Sequence, residues 1–368
     1  MAVAVPNEQR IFVATQWQLM WWRFRKHKVA VASAFVVIGF YMVVVGADFL
    51  AYADPNVSEA QRGLMPPQRV YWFDEGRFGP YVHGVTGVRD PATFKRVYRP
   101  DPSQKVPVRF FAKGFEYHFL GVIPMSRHLI GVDGDAGKTV FLLGTDVQGR
   151  DLWSRLMYGT RISLTIGLFG VTVSLVLGVT LGGLSGFYGG VADTVIQRII
   201  EIFRSIPTIP LWMGLAAAMP RDWSIHQVYF AITIIISLLG WTELARVVRG
   251  RFLAMREEDF VVSARLVGCS QMRTIFVHMV PSFMSHIIAA TTLALPAMII
   301  SETALSFLGL GLRPPAMSWG VLLQQAQNVQ TVAISPWLML PAVPVIIAVM
   351  AFNFLGDGLR DAADPYGR

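Results

Sequence analysis

The residues best suited to recognition chemistry run from Asp259 to Pro281, DFVVSARLVGCSQMRTIFVHMVP, a polar, Arg-rich stretch between two long apolar segments. On a short helix, Phe260, Ser263, Ala264, Val267 and Gly268 share one face. An aromatic knob flanked by side chains of minimal bulk lets that helix sit deep in a partner's groove, and Gly268 can end it at positive φ. Asp259 and Arg265 complete the candidate docking set. The alternative is a basic juxtamembrane loop without a partner.

Catalytic chemistry has no comparable set. The seven histidines are scattered, and neither an HExxH string nor a cysteine cluster is present. The single Cys269 excludes an internal disulfide and reads as a small packing residue. GVDGDAGKTV approaches a phosphate-binding loop, but the glycine required ahead of Gly137, Lys138 and Thr139 is Val132. An exterior Gly-Asp turn is the simpler reading. No metal or cofactor is expected on this chain.

The elements that position the docking stretch must be membrane helices. With 53% hydrophobic and 15% charged residues over 368 positions, the chain has too few charges to clothe a soluble surface. A crossing needs about 20 apolar residues, and six segments qualify, near 29–52, 161–185, 199–219, 228–248, 283–308 and 334–356. Arg23, Arg25, Lys26 and Lys28 precede the first, which is too long for a signal peptide, and place the N-terminus in the cytoplasm. Six crossings return the C-terminus to the same side. The 249–282 connection then lies in the cytoplasm with Arg249, Arg251, Arg256, Arg265 and Arg273, while the opposite connections carry only Arg221 and Arg313. Net charge +8 is thus topology signal and attraction to anionic membrane lipid, and no nucleic-acid motif competes.

The chain reads as three stretches: residues 1–52 with an interfacial helix and the first span, an insert at 53–142, and a helical core at 143–368. Residues 8–27 combine Trp17, Trp21, Trp22 and Phe24 with a basic flank and suit a helix lying in the interface. In the insert, alternation at Val106, Val108 and Phe110, and at Phe115, Tyr117 and Phe119, predicts short strands. Asp146 and Gly149 read as a turn or cap. Leu152, Leu156 and Tyr158 then form the apolar side of an interfacial helix whose Arg150, Arg155 and Arg161 meet lipid phosphates. Gly178, Gly182 and Gly186 make small-xxx-small faces for close helix contact. Pro296 in segment five, and Pro341 and Pro344 in segment six, are candidate kinks for a gate. Glu302, costly if unpaired in hydrocarbon, is either a substrate-path contact or a structural pair. Glu243 and Arg246 are expected to brace the loop.

The residue order of the docking stretch resembles the EAA loop of ABC importer permeases. Val262, Ser263 and Ala264 stand at the E-A-A positions, Gly268 at the glycine, and His278, Val280 and Pro281 at the end, with Val for Glu and His for Ile as departures. LGTDVQGRDLWSRLMYGTRISLTIGL, GFYGGVADTVIQRIIEIFRSIPTIP, ETALSFLGLGLRPPAMSWG and GDGLRDAADP are similar to the C-type permease subunit of dipeptide, oligopeptide and nickel importers, the MetI-like transmembrane family. The likeness covers roughly 20–52 and 143–368. For residues 53–142, long-insert Yej-like peptide permeases compare better.

That resemblance implies an all-α integral protein of the bacterial inner membrane, with six transmembrane helices and a partly β, periplasmic insert between helices 1 and 2. It implies no catalysis by this chain. A sister permease in a heterodimer, two ATPase subunits or domains that carry ATP and Mg, and a periplasmic solute-binding protein are the implied partners. Peptides are the implied cargo; glutathione, oligosaccharides, opines and nickel chelates remain open. A membrane scaffold or sensor whose loop binds a signalling partner is the reading from another class. A secondary transporter is disfavoured for want of an inverted repeat or buried ion-coupling carboxylates.

Overall fold

In hydrocarbon every backbone polar group must be satisfied within the chain, so apolar spans become helices. The computed structural model describes residues 15–74, 76–89, 91, 96–132, 140–220 and 222–363. Residues 8–14, Gly137, Lys138, Thr139, Arg221 and the final Asp364 and Pro365 of the C-terminal string lie outside the described residues. Among those described, five helices are long and apolar enough to cross a membrane, and a sharply bent pair makes up to six.

The order begins with α1 (Gln16–Lys26) and α2 (Lys28–Leu50). A reciprocal cap starts α1: the Gln18 N–H donates to the Thr15 hydroxyl, and the Thr15 N–H donates to Gln18 Oε1 at 3.0 Å. Arg23, Arg25 and Lys26 complement the dipole of its last turn. The core follows as α3 (Leu152–Tyr188), α4 (Gly190–Ser205), α5 (Thr208–Ala217) and α6 (Ile225–Met255). Then come α7 (Asp259–Leu266), α8 (Met284–Phe307), two short helices α9 (Trp319–Gln324) and α10 (Val329–Ile334), and α11 (Ala342–Ala363).

The expected continuous span at 199–219 is corrected by the structure, because α4 and α5 meet at 87°. Pro207 lacks an N–H and forces Ile206 into extended backbone (φ −89°, ψ 129°), so the helix cannot run through.

The chain divides into two units, the first being Met1–Ile38, Ile166–Glu302 and Ile347–Arg368. Here α3 and α6 touch backbone to backbone. A Cβ on Gly182 would sit 2.5 Å from the Ala245 carbonyl oxygen, and one on Gly186 would sit 2.7 Å from that of Arg249. Arg249 then clasps α4, its Nε and Nη2 donating to the Asp193 carboxylate at 2.5 and 2.6 Å. Ile200 of α4 is buried against Trp241 and Ala245 of α6. Glu243 pairs with Arg204 rather than bracing the following loop.

The second unit comprises Gly39–Thr165 and Thr303–Ile346. Its strands are β1 (Val70–Asp74), β2 (Arg77–Arg89) and β3 (Arg96–Pro107) in one antiparallel sheet. Two small ribbons pair β4 (Arg109–Phe110) with β7 (Ile130–Gly131) and β5 (Lys113–Phe119) with β6 (Ile123–Arg127). Val82, Val106, Val108 and Val140 form a buried cluster among these strands. Phe110 does not join them, since the strand breaks between Pro107 and Arg109 and leaves that ring exposed.

The interfacial helix expected around Leu152 is also corrected. Leu152, Leu156 and Tyr158 are the first turns of α3 itself, and the three arginines meet protein. Arg150 and Arg155 are buried against Asp146, at 2.7 and 3.7 Å, and Arg161 reaches the Asp48 carboxylate at 2.6 Å. A carboxylate already inside the fold neutralises a guanidinium at lower desolvation cost than an unpaired burial would carry. Trp319, fully buried, donates its backbone N–H to Ser163 and its indole N–H to Thr160.

Gly182→Ala is expected to cost about 1–3 kcal/mol through forced helix separation, and Gly39→Ala, where a Cβ meets nothing within 4 Å, almost nothing; thermal unfolding in detergent compares them. Burial pushes the Asp151 carboxyl up to about 6, despite hydrogen bonds from Ser154 and Tyr52 that lower it. Because the folded value exceeds the ordinary 3.8, the native state holds this proton more tightly than the unfolded chain. Stability attributable to the group therefore falls as pH rises from about 4 to about 6, by up to about 3 kcal/mol. Asp151→Asn is expected to flatten that part of the pH–melting curve.

Candidate docking surface

Helix α7 is short, and what holds it is one buried residue. Val261 has no exposed surface and packs in a cluster with Phe252 of α6 and with Ile275, Met279, Phe283 and Ile287 farther along the chain. Glu258 is its extended N-cap residue, and the Val261 and Val262 N–H groups donate to the Glu258 carbonyl. Asp259 lies in the first turn and Arg265 in the last, each favourable to the helix dipole.

The C-terminus closes with two bonds that satisfy the last carbonyls. The Cys269 N–H donates to Ala264 O and the Gly268 N–H to Arg265 O, both at 3.0 Å. This requires Gly268 at φ +83°, although a Cβ there would meet nothing within 4 Å. Backbone conformation, not crowding, demands glycine at this position. Ser270 then caps Gln271–Arg273, and a π-helical turn at Thr274–Met279 turns Ile275 and Met279 into the same cluster that holds Val261.

With Val261 turned inward, the opposite side of α7 is bare. Phe260, Ser263, Val267 and Gly268 are exposed and Ala264 is half-buried. Leu266 and Val267 are 82% and 84% exposed, an apolar pair at the helix end. Leu266 was absent from the residues expected on the docking face, because the i, i+3, i+4 rule starting at Phe260 passes over it. Two apolar residues directly before a helix-ending glycine are the sequence signal that marks it. The Arg265 guanidinium lies 4.5 Å above the Phe187 ring, which fixes it beside the helix.

The other expected site residues belong to other elements. Pro296 is inside α8. Pro341 and Pro344 are not mid-helix kinks: Pro341 sits in the turn between the 3-10 helix Pro336–Met339 and α11, and Pro344 in the first turn of α11. The leading N–H groups of a helix have no partner within it, so proline removes no bond there. Glu302 is fully buried. Among the described residues, no group of three or more His, Cys, Asp or Glu side chains could hold a metal ion.

Residues 178–366 match the family model described as "Binding-protein-dependent transport system inner membrane component". Residues 15–67 match "N-terminal TM domain of oligopeptide transport permease C". The chain is 35% identical over 252 residues to the glutathione transport system permease protein GsiD of Pectobacterium atrosepticum, covering 68% of this chain and 77% of that one. It is 36% identical over 241 residues to the oligopeptide transport system permease protein OppC of Bacillus subtilis, covering 65% and 76%. With the dipeptide transport system permease protein DppC of Lactococcus lactis it shares 31% identity over 352 residues, 94% of this chain and 89% of the other.

Gly268→Ala is expected to cost about 1–2 kcal/mol at the end of α7, the left-handed penalty of an L-residue, without disturbing the spans. Amide hydrogen exchange in 264–269 should rise roughly five- to thirtyfold, with the overall melting temperature nearly unchanged.

Proposed function

The chain belongs to the family of binding-protein-dependent transport system inner membrane components, and from that premise we propose that it is one half of the translocation path of a peptide importer, coupled to ATP-hydrolysing partners through α7. It is an integral inner-membrane permease subunit of an ABC importer with a MetI-like fold. The peptide cargo rests on the permeases it resembles, which are named for oligopeptide, dipeptide and glutathione transport.

One observation carries the coupling role. Leu266 and Val267 expose apolar surface on a helix whose opposite residue, Val261, is locked into the core between α6 and α8. Such a knob transmits force because its root cannot move independently of Phe252 or of the π turn leading into α8. Reversing a gate from 1:99 to 99:1 takes about 5.5 kcal/mol of differential binding. A firmly rooted helix can deliver that; a free loop cannot.

In the resulting cycle, two ATPase subunits close on ATP, α7 is displaced as a ball in its socket, and α6 and α8 swing with it. Pro296 leaves one carbonyl of α8 without its helical donor and gives that helix a place to bend. A sister permease completes the cavity, and an exterior solute-binding protein supplies the cargo. The N- and C-termini and α7 then face the cytoplasm, and the sheets between α2 and α3 face the exterior. The full burial of Glu302 favours a structural pair over a cargo contact.

Leu266→Asp combined with Val267→Asp removes the knob at positions that do not pack within the chain. Insertion and melting temperature should be unchanged, while copurification of the ATPase partners and uptake of a labelled oligopeptide should each fall more than about tenfold. Wild-type copurification and uptake would overturn the coupling role.

A further inference from the structure

The β5–β6 hairpin presents apolar side chains that the fold does not use. At its tip Leu120 is 61% and Val122 77% exposed, with Ile123 beside them, and Phe111, just before its root, is 59% exposed. Leu120 and Phe111 are also two of the three non-glycine residues at positive φ among the described residues, at +53° and +56°. Left-handed backbone ordinarily selects Gly, Asn or Asp. Here a strained conformation displays leucine and phenylalanine to the outside, so neither burial nor turn preference accounts for them.

The root of the hairpin is fastened to the end of α2, a membrane-spanning helix. The Leu129 N–H donates to Phe49 O at 2.9 Å, and the ring nitrogens of His128 lie 3.1 Å from Asp48 O and 3.0 Å from Phe115 O. The Phe111 and Phe49 rings are 6.0 Å apart. The Tyr117 ring, on β5, lies 5.0 Å from that of His128, tilted by 45°. The root of the hairpin is therefore held against the helix end by hydrogen bonds to the Asp48 and Phe49 carbonyls. From Tyr117 to Leu120 is about 10 Å of extended chain, so the tip lies within reach of the surface at which α2 leaves the hydrocarbon. Lys113 and Arg127, register partners at the root, are exposed cations at the opposite end from the apolar tip.

We propose that this hairpin is a membrane-interface anchor, its Leu120, Val122 and Ile123 tip inserted among lipid acyl chains, with Phe111, Lys113 and Arg127 at headgroup level at its root. Apolar tip, cationic root and attachment at a span's end are the arrangement that a bilayer surface stabilises. The anchor fixes the end of α2 and the sheets that follow it relative to the bilayer. It is independent of the cargo and of the α7 coupling role.

The test uses the full chain with Cys269→Ser, carrying Val122→Cys or the exposed control Ser103→Cys on β3. Each is labelled with an environment-sensitive thiol fluorophore and reconstituted in phosphatidylcholine–phosphatidylglycerol vesicles. The label at 122 should be quenched by lipids carrying a spin label high on the acyl chain, and be about fivefold less accessible to aqueous iodide than the label at 103. Equal iodide quenching at the two positions without lipid quenching would overturn the anchor. Shielding of 122 that appears only when the solute-binding protein is added would overturn it in favour of a protein partner.

Discussion

The close approach of α3 and α6 is the constraint on which the first unit depends. Lipid tails are as apolar as leucine, so helices in a bilayer associate through packing at small residues instead of through water exclusion. Gly178, Gly182 and Gly186 remove the side chains that would hold α6 away. The last does more, since a Cβ there would meet both Phe252 and the Arg249 backbone. Those two residues then act in different directions: Arg249 clasps Asp193 and fixes the start of α4, while Phe252 provides the surface on which Val261 is buried. A glycine ladder within the bilayer thus sets where the exposed helix α7 stands.

Electrostatics in the second unit obeys a related rule. Arginines that enter apolar surroundings are met by carboxylates, Arg161 by Asp48 from the first span and Arg150 by Asp146 one turn away. Asp151 receives the Tyr52 hydroxyl at 2.8 Å and the Ser154 N–H at 2.7 Å, tying the last residues of the first span to the start of α3. These contacts hold the junction on either side of the small sheets, which pack around Val82, Val106, Val108 and Val140.

Helix α7 shows how tertiary packing holds a short helix. Eight residues form a marginal helix in water, and α7 persists because one side is locked and its end is closed by Gly268. Leu266 and Val267 remain exposed on the side of α7 away from that packing.

By itself the sequence determined the membrane class, most of the spans, the polar loop between two of them, and the glycine that ends its helix. Each of these follows from local composition or from spacing within one helical turn. Tertiary structure alone decided the partners. Arg161 read as lipid-facing because its carboxylate, Asp48, lies 113 positions away, and Arg150 and Arg155 because nothing in the spacing shows that the loop folds Asp146 back against them. Pro341 and Pro344 moved from the middle of a helix to its start because hydropathy counts apolar residues without distinguishing a 3-10 turn from an α-helix. The segment at 199–219 was apolar enough to cross, yet a proline that cannot donate bent it by 87°. Val261 and Leu266 are both apolar residues of α7. The positions of Phe252 from α6 and of Ile275 and Met279 from the π turn, all outside the helix, buried the first and left the second exposed.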